Sequence, residues 1–518
     1  MNSKVQSGAS QISPAQVFIW GIVAIALLLS PFIGYQVSTT SYQLVILIVG
    51  GLVAFCWTIF AGHSWWVPFP AALAFGGTFY VGFKIPAHEM ALLVCTFPLI
   101  LNLCVRYSGV IRGRTTLPAS VFLLTIYIFA HWIGSLSYNT FNGLGGHGNV
   151  TRSYMNAAWP FILFFFFYYF GRSDLIRSAL GFMFASYLIR VGLGLWDYFD
   201  PGMRYIPGIN FVLPATSAFS DGGGSGDLRN SAPNACLLAI CYICLSRGFL
   251  RKSFFFCIVV ATCGITALGG GRIAILYVMC ILLGSALLYR RFIWIILITT
   301  LLAAFVLLLN IQKSIIYVFP EPMQRSLSVL VFEKGSVDAH EGTELSDKWH
   351  GMLQKAGYER WTESVGSILF GHGLRPFDPG FFDKNAGGME YFYFMVKVAT
   401  QTASFEAGLW TVLAVFGLTG LILYLNVFRF LLADALPNLW RNKICDYNHA
   451  FYFLASYHVI TWVVFCSKAG TYPSTALMFA LFAKTAHDDE IWRNKNPSTT
   501  TTNFAPILKL SPPSSRPV

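Results

Sequence analysis

Phe292-Ile-Trp-Ile-Ile-Leu-Ile-Thr-Thr-Leu-Leu-Ala-Ala-Phe-Val-Leu-Leu-Leu-Asn310 carries no charged side chain. Wound as a helix it extends about 28 Å at 1.5 Å per residue, close to the ~30 Å hydrocarbon core of a bilayer. The sequence then changes character abruptly. From Ile311 to Thr400 it is charged, Gly-rich and mixed. An apolar span followed by a large polar island reads as an integral membrane protein carrying one sizeable extramembrane segment. The composition agrees: hydrophobic residues make up 55% and charged residues 11%, and the mean hydropathy is +0.60.

Reading outward from this stretch, further apolar runs fall at Gln16–Tyr35, Tyr42–Gly62, Trp65–Phe83, Met90–Val105, Thr116–Gly134, Tyr154–Gly171, Leu175–Trp196 and Asn234–Ser246. Others follow at Ser253–Leu268, Ile273–Tyr289, Phe405–Phe428, Asn448–Cys466 and Ser474–Lys484. The third, the eighth and the last of the whole set are short or weak, so the sequence predicts an all-α polytopic protein with about 12–14 transmembrane helices. Its expected organisation is a cytoplasmic N-terminus (1–15), a first membrane part (16–310), one large outward, periplasmic loop between late spans (311–400), the last spans (401–486) and a disordered cytoplasmic tail (487–518). No internal repeat stands out of the kind that marks an inverted-repeat transporter.

The formal charge of +12 comes from 35 Lys and Arg against 23 Asp and Glu. Basic residues recur in short loops on alternate sides of the spans: Arg106, Arg112 and Arg114; Arg172 and Arg177; Arg247, Arg251 and Lys252; Arg290 and Arg291; Arg429, Arg441 and Lys443. That is the positive-inside bias, which sets orientation, and it argues against nucleic acid as a partner. With an even number of spans it places both termini in the cytoplasm and the long loops outside. Those long loops contain no cysteine, so no disulfide framework is implied. Cys241-Tyr-Ile-Cys244 lies inside an apolar run and reads as packing.

Several motifs fail on context. Gly143-Leu-Gly-Gly-His-Gly148 has the letters of a dinucleotide fingerprint without the strand–turn–helix around it, and Asp221-Gly-Gly-Gly-Ser-Gly-Asp227 lacks the Gly-Lys-Ser/Thr of a phosphate loop. His340, His350 and His372 lack metal-ligand spacing, so neither a metal nor a cofactor is expected. Within the island an amphipathic helix is predicted from Glu344 to about Ile368, with Leu345, Trp349, Leu353, Tyr358 and Trp361 as its apolar stripe. Leu369-Phe-Gly-His-Gly-Leu374 reads as a tight turn.

The arginines at the outward ends of spans carry more information. Arg190 lies within Leu175–Trp196, Arg229 precedes Pro233-Asn234, and Arg272 follows three glycines in Leu268-Gly-Gly-Gly-Arg-Ile-Ala274. Positive charge on that face runs against the topology rule and is costly at membrane depth. Snorkelling to headgroups is the plain reading. Recognition of an anionic lipid head by converging guanidinium forks is the functional one, and the glycines before Arg272 would let a ligand approach the backbone.

These pieces resemble a family. Leu228-Arg-Asn-Ser-Ala-Pro-Asn-Ala235 is similar to the Pro-Asn-x-x-Ala segment of the O-antigen polymerase and ligase superfamily, and Thr266-Ala-Leu-Gly-Gly-Gly-Arg-Ile-Ala274 to its Gly-Ser-Arg-Gly-Ala stretch. Ser367-Ile-Leu-Phe-Gly-His-Gly373 and Leu413-Ala-Val-Phe-Gly-Leu-Thr-Gly420 resemble its Pro-Leu-Leu-Gly-x-Gly and Leu-x-x-x-Gly-Leu-x-Gly. The ordered set runs from about Arg190 to Leu425. The resemblance implies transfer of oligosaccharide from undecaprenyl pyrophosphate at the periplasmic face, as an O-antigen or exopolysaccharide polymerase, an O-antigen ligase or a protein oligosaccharyltransferase. It implies that Arg272 and Arg190 contact the pyrophosphate. Ligases carry His-Asn eleven residues before the glycine that corresponds to Gly417, where this chain has Glu406. The departure favours a polymerase or a divergent transferase.

The expected scheme is a metal-independent glycosyltransferase. Arg272, with Arg190 and Arg229, neutralises the leaving pyrophosphate, and Glu406 or, second, His372 takes the acceptor's proton. Arg360 and Arg375 are further candidates for substrate binding, and Tyr391, Tyr393 and Trp361 offer faces for sugars. Expected partners are the undecaprenyl-pyrophosphate-linked oligosaccharide, membrane lipids, and a chain-length regulator or flippase of the same pathway. The rival classes are a polytopic transporter or lipid-linked glycan flippase, with His458 as its midplane group, and a non-catalytic membrane scaffold.

Overall fold

The computed structural model describes residues 42–61, 64–80, 84–105, 119–136, 154, 157–158, 161, 176–199, 205–206, 211–212, 226–288, 290, 292–331, 338–374, 405–441, 447–468 and 473–495. The Gln16–Tyr35 run, most of Tyr154–Gly171, the Gly143–Gly148 motif, Arg375, Tyr391, Tyr393 and the tail beyond Lys495 lie outside the described residues.

Helices dominate. In chain order they are α1 (Tyr42–Phe60), α2 (Pro68–Phe75), α3 (Ala87–Val105), α4 (Ala119–Leu136), α5 (Ile176–Phe199), α6 (Gly226–Leu245), α7 (Phe249–Leu268) and α8 (Arg272–Leu288). Then follow α9 (Phe292–Ile311), α10 (Glu321–Leu327), α11 (Asp338–Trp361), α12 (Val365–Phe370), α13 (Gly408–Arg441), α14 (Tyr447–Phe465) and α15 (Ser474–Lys495). Five of them, α5, α6, α7, α9 and α13, contain stretches long and apolar enough to cross a membrane. Stretches of α1, α3, α4 and α8 are shorter apolar helices.

Where these helices bury their side chains separates core from perimeter. The first turns of α14 are buried without interruption from His449 to Ser456, as is α15 from Leu477 to Ala483. Phe482 of α15 meets Trp66 (5.5 Å between centroids) and Phe451 of α14 (6.3 Å). In α9 only Leu309 is buried, while Phe292, Ile293, Ile296, Leu301 and Ile311 are exposed. In water each such residue would forgo roughly 1.5–3 kcal/mol of burial. A lipid-facing perimeter removes that cost, which makes this a helical membrane protein.

Two readings of the sequence need correction. Trp65–Phe83 is not a span. Its helix, α2, lasts eight residues and ends at Gly76 and Gly77, whose φ values of 69° and 81° a helix cannot continue. The β-prone Thr78–Tyr80 then pairs as β1 with β2 (Lys84–Pro86). Together with β3 (Tyr205–Ile206) and β4 (Phe211–Val212) they form a small antiparallel sheet of order β2-β1-β4-β3. Nor does α6 start at Asn234. It begins at Gly226 and takes Arg229 and Pro233 inside the helix. A proline there removes one backbone donor, and the Asn234 side chain donates to Asn230 O at 2.8 Å beside it.

The island is partly helical and packs on the bundle. Its predicted single helix is two, because Ser364 caps α12: the Ser364 and Ser367 side chains exchange hydrogen bonds with each other's backbone N–H. The chain then meets α13 at its weakest point. α13 is kinked at Gly417 (φ 64°, ψ −168°), which interrupts its hydrogen-bond ladder. The carbonyls before the kink are satisfied from outside the helix. His372 N donates to Ala414 O at 2.8 Å and Gly373 N to Val415 O at 3.0 Å. The Tyr127 hydroxyl of α4 lies 2.8 Å from Phe416 O and 3.2 Å from Phe370 O.

Replacing mid-helix Leu301, exposed on α9, with Asp should cost roughly 2.5–3.5 kcal/mol of insertion free energy. The fraction of protein resisting alkaline extraction from membranes should fall accordingly. Gly417→Ala places a Cβ 2.5 Å from Gly371 N and Leu369 O at a positive φ. It should destabilise the purified protein by roughly 2–4 kcal/mol, read as a lowered thermal midpoint in detergent. An unchanged midpoint would mean that the kink is not held as described.

Candidate functional site

The triple glycine between α7 and α8 is a fitted turn. Ser326 of α10 caps the end of α7 by donating to Ala267 O at 2.8 Å. Gly270 adopts φ 68°. A Cβ on Gly269 would stand 2.7 Å from Arg229 N, and one on Gly271 2.6 Å from Arg229 Nε. Arg229 Nε also reaches Gly269 O at 3.4 Å. The space the glycines open is therefore taken by Arg229, where the sequence had reserved it for a ligand. Arg229 and Arg272 are joined through one turn.

Arg272 is the first residue of α8. Its guanidinium grips Asp347 of α11 as a fork, Nη1 to Oδ2 at 3.2 Å and Nη2 to Oδ1. One turn along α11, His350 Nδ1 lies 3.5 Å from Glu406 Oε2. Trp349 Nε1 donates to the same oxygen at 3.3 Å. Glu406 sits two residues before α13 in the left-handed region at φ 52°, a strained conformation for a non-glycine residue that costs about 1–3 kcal/mol. Arg325 of α10 and Glu406 both lie within electrostatic range of Arg229.

Three helix N-termini thus meet here, those of α6, α8 and α13. The positive end of a helix dipole favours anions. Arg229, in the first turn of α6, and Arg272, at the start of α8, put cations where the backbone disfavours them. Glu406 and Asp347 offset this in part, and the balance attracts negative charge. His350 reports the same field. Partial burial pushes its pKa below the ordinary value, Glu406 pulls it up, Arg272 pushes it down, and Asp347 and Arg229 add smaller opposing effects. The imidazole is consequently neutral near pH 7, with a carboxylate beside Nδ1. Such a ring can accept a proton at Nε2.

The sequence-predicted residues divide. Arg229, Arg272 and Glu406 come together. Arg190 is buried against the end of α2, where its Nη1 reaches Ala74 O at 3.4 Å and its guanidinium lies close to Gly76. A cation at a helix C-terminus is favourable, so α2 supplies a structural reason for this arginine. His372 pairs through Nε2 with Glu363 Oε2 at 2.9 Å, and its backbone N–H serves the α13 kink. Arg360 is half-buried, within electrostatic range of Tyr154. His458 is stacked face to face on Phe479 at 4.7 Å. Asp347, Trp349, His350 and Arg325 were missed as site residues. The i, i+3 spacing of Asp347 and His350 on one helix was a legible signal; that the helix docks on Arg272 was not.

A separate polar group lies at the other end of α13. Asp434, His487 and Asp488 bring potential metal-ligand atoms within 4.8 Å of one another. The Lys484 ammonium stands between the two carboxylates, 3.0 Å from Asp488 and paired with Asp434. It supplies the positive charge that this acidic pair requires. No protein-family model, no curated protein and no solved structure matches this chain.

Proposed function

We propose that the chain is a metal-independent glycosyltransferase of the O-antigen or exopolysaccharide polymerase type. It would act on undecaprenyl-pyrophosphate-linked oligosaccharide at the periplasmic face of the bacterial inner membrane. The observation that carries this reading is the meeting of Arg229, Arg272, Glu406 and His350 at three helix N-termini. Two guanidinium groups and three dipole ends suit a pyrophosphate, and a neutral imidazole beside a carboxylate suits an acceptor hydroxyl.

In the reaction the acceptor oxygen attacks the anomeric carbon of the donor sugar. The bond from that carbon to the pyrophosphate oxygen breaks, and undecaprenyl pyrophosphate departs with the bonding electrons. Arg272 and Arg229 balance the charge that develops on the leaving group. The hydroxyl proton passes to His350 Nε2. Glu406, 3.5 Å from Nδ1, stabilises the imidazolium by its charge, in place of the direct base read from the sequence. Transfer to lipid A core or to protein uses the same chemistry with another acceptor.

One observation favours the carrier reading. A discontinuous helix such as α13, kinked at Gly417, is a device of transporters. The two are separated by giving the purified protein its lipid-linked oligosaccharide without any ion gradient. New glycosidic bonds support the enzyme, and movement of unaltered lipid across the bilayer supports the carrier.

Arg272→Ala should abolish polymer while single lipid-linked units accumulate, seen on a glycan ladder gel; normal chain length would remove Arg272 from the mechanism. The pH profile gives a second check. Because His350 must be neutral to act, activity should fall as pH drops through its pKa, which lies below the usual 6.5. Glu406 raises that pKa, so in Glu406→Gln the acid limb should move to lower pH as the maximal rate falls. A limb that stays in place would exclude His350 as the base.

A further inference from the structure

The face of α11 that carries Asp347 and His350 continues beyond them. At helical spacing Gln354, Tyr358 and Trp361 follow on the same side. Asp347 to Trp361 covers about 21 Å of helix. Tyr358 is 50% exposed, yet its ring is fixed by edge contacts to Trp361 (6.2 Å) and to Trp410 of α13 (5.9 Å). Trp361 is itself held by donating Nε1–H to Ile368 O at 3.1 Å. Gly357 lets the helix lie close to α13, since a Cβ there would come 2.8 Å from Trp410 Cβ.

Two details identify the medium and the charge this face meets. Lys355 and Glu359, which flank Tyr358, are 77% and 63% exposed and pair with each other at 3.7 Å. Charges so exposed belong in water, so Tyr358 offers its ring to solvent and not to lipid. Lys468, in the turn after α14, reaches this face and contacts Gln354 Oε1 at 3.4 Å. Among the described residues its partner there is a neutral amide, which leaves the ammonium charge uncompensated.

Resting on the glycosyltransferase reading, we propose that Gln354, Tyr358, Trp361 and Lys468 form a saccharide subsite that takes the sugar chain of the substrate and selects chains bearing a carboxylate. The half-exposed ring of Tyr358 and the partly exposed ring of Trp361, both held in place beside a side-chain amide, suit the apolar faces and hydroxyls of pyranose rings. The stripe begins beside the proposed pyrophosphate site and leads away from it, as a sugar chain anchored at its reducing end requires. Lys468 meets the carboxylate of a uronate-like sugar.

The test uses the full-length protein in nanodiscs, titrated with tetragalacturonate and with maltotetraose and followed by tryptophan fluorescence. Tetragalacturonate should bind and maltotetraose should bind at least about tenfold more weakly, a difference of roughly 1.4 kcal/mol. Lys468→Gln should erase the preference, and Tyr358→Ala should weaken both ligands. Arg272→Ala should leave this binding intact. If neither saccharide binds, if both bind equally, or if Lys468→Gln keeps the preference, the subsite is wrong. Binding as described in a protein that forms no glycosidic bond would keep the subsite and overturn the enzyme.

Discussion

A kinked helix in an apolar bundle must find partners for the carbonyls it releases, because hydrocarbon offers none. That demand, at Gly417 of α13, organises much of what surrounds it. The turn Gly371–Gly373 supplies two backbone donors and α4 supplies the Tyr127 hydroxyl. The polar island is thereby tied to the bundle at a fixed place. Once its far end is tied there, α11 lies along the first turns of α13 with Gly357 against Trp410 and Phe405. Asp347 and His350 are then delivered to Arg272 and Glu406. The geometry of the charged site depends on a backbone repair made elsewhere.

The charged site follows the opposite logic. Its arginines stand at helix N-termini, where they gain nothing from the backbone, and its acidic residue occupies a strained conformation. Local preference is overridden at several neighbouring residues at once. Such conflicts persist where surrounding structure over-determines them, and they concentrate at functional positions. Arg190 shows the contrast. It lies at a helix C-terminus, where a cation is favoured and a carbonyl is in reach.

Legibility in the sequence followed the range of the physics involved. A long apolar run such as Phe292–Asn310 reports itself, since hydropathy over a single segment is a local property. Trp65–Phe83 misled because its mean hydropathy hides Gly76-Gly77, whose backbone conformation stops the helix. Asn234–Ser246 read as a short span because the polar residues Arg229 and Asn230 precede it, while the helix that holds it starts at Gly226. Arg229, Arg272 and Glu406 were visible as charges out of place. His350 and Asp347 were not, since their meaning comes from the docking of α11 across a sequence separation of 75 residues for Asp347 and Arg272. Tyr358 was assigned to an apolar stripe, and half of it faces solvent; periodicity gave the face without saying what covers it.

The turn that clasps Arg229 has a mechanical consequence. With the Arg229 backbone against Gly269 and its side chain against Gly271, the first turn of α6 and the start of α8 move as one piece. A displacement of the Arg229 side chain is thereby passed to the backbone from which the Arg272 side chain projects. The two arginines therefore spring from one packed unit, and three residues without side chains set how closely their backbones approach.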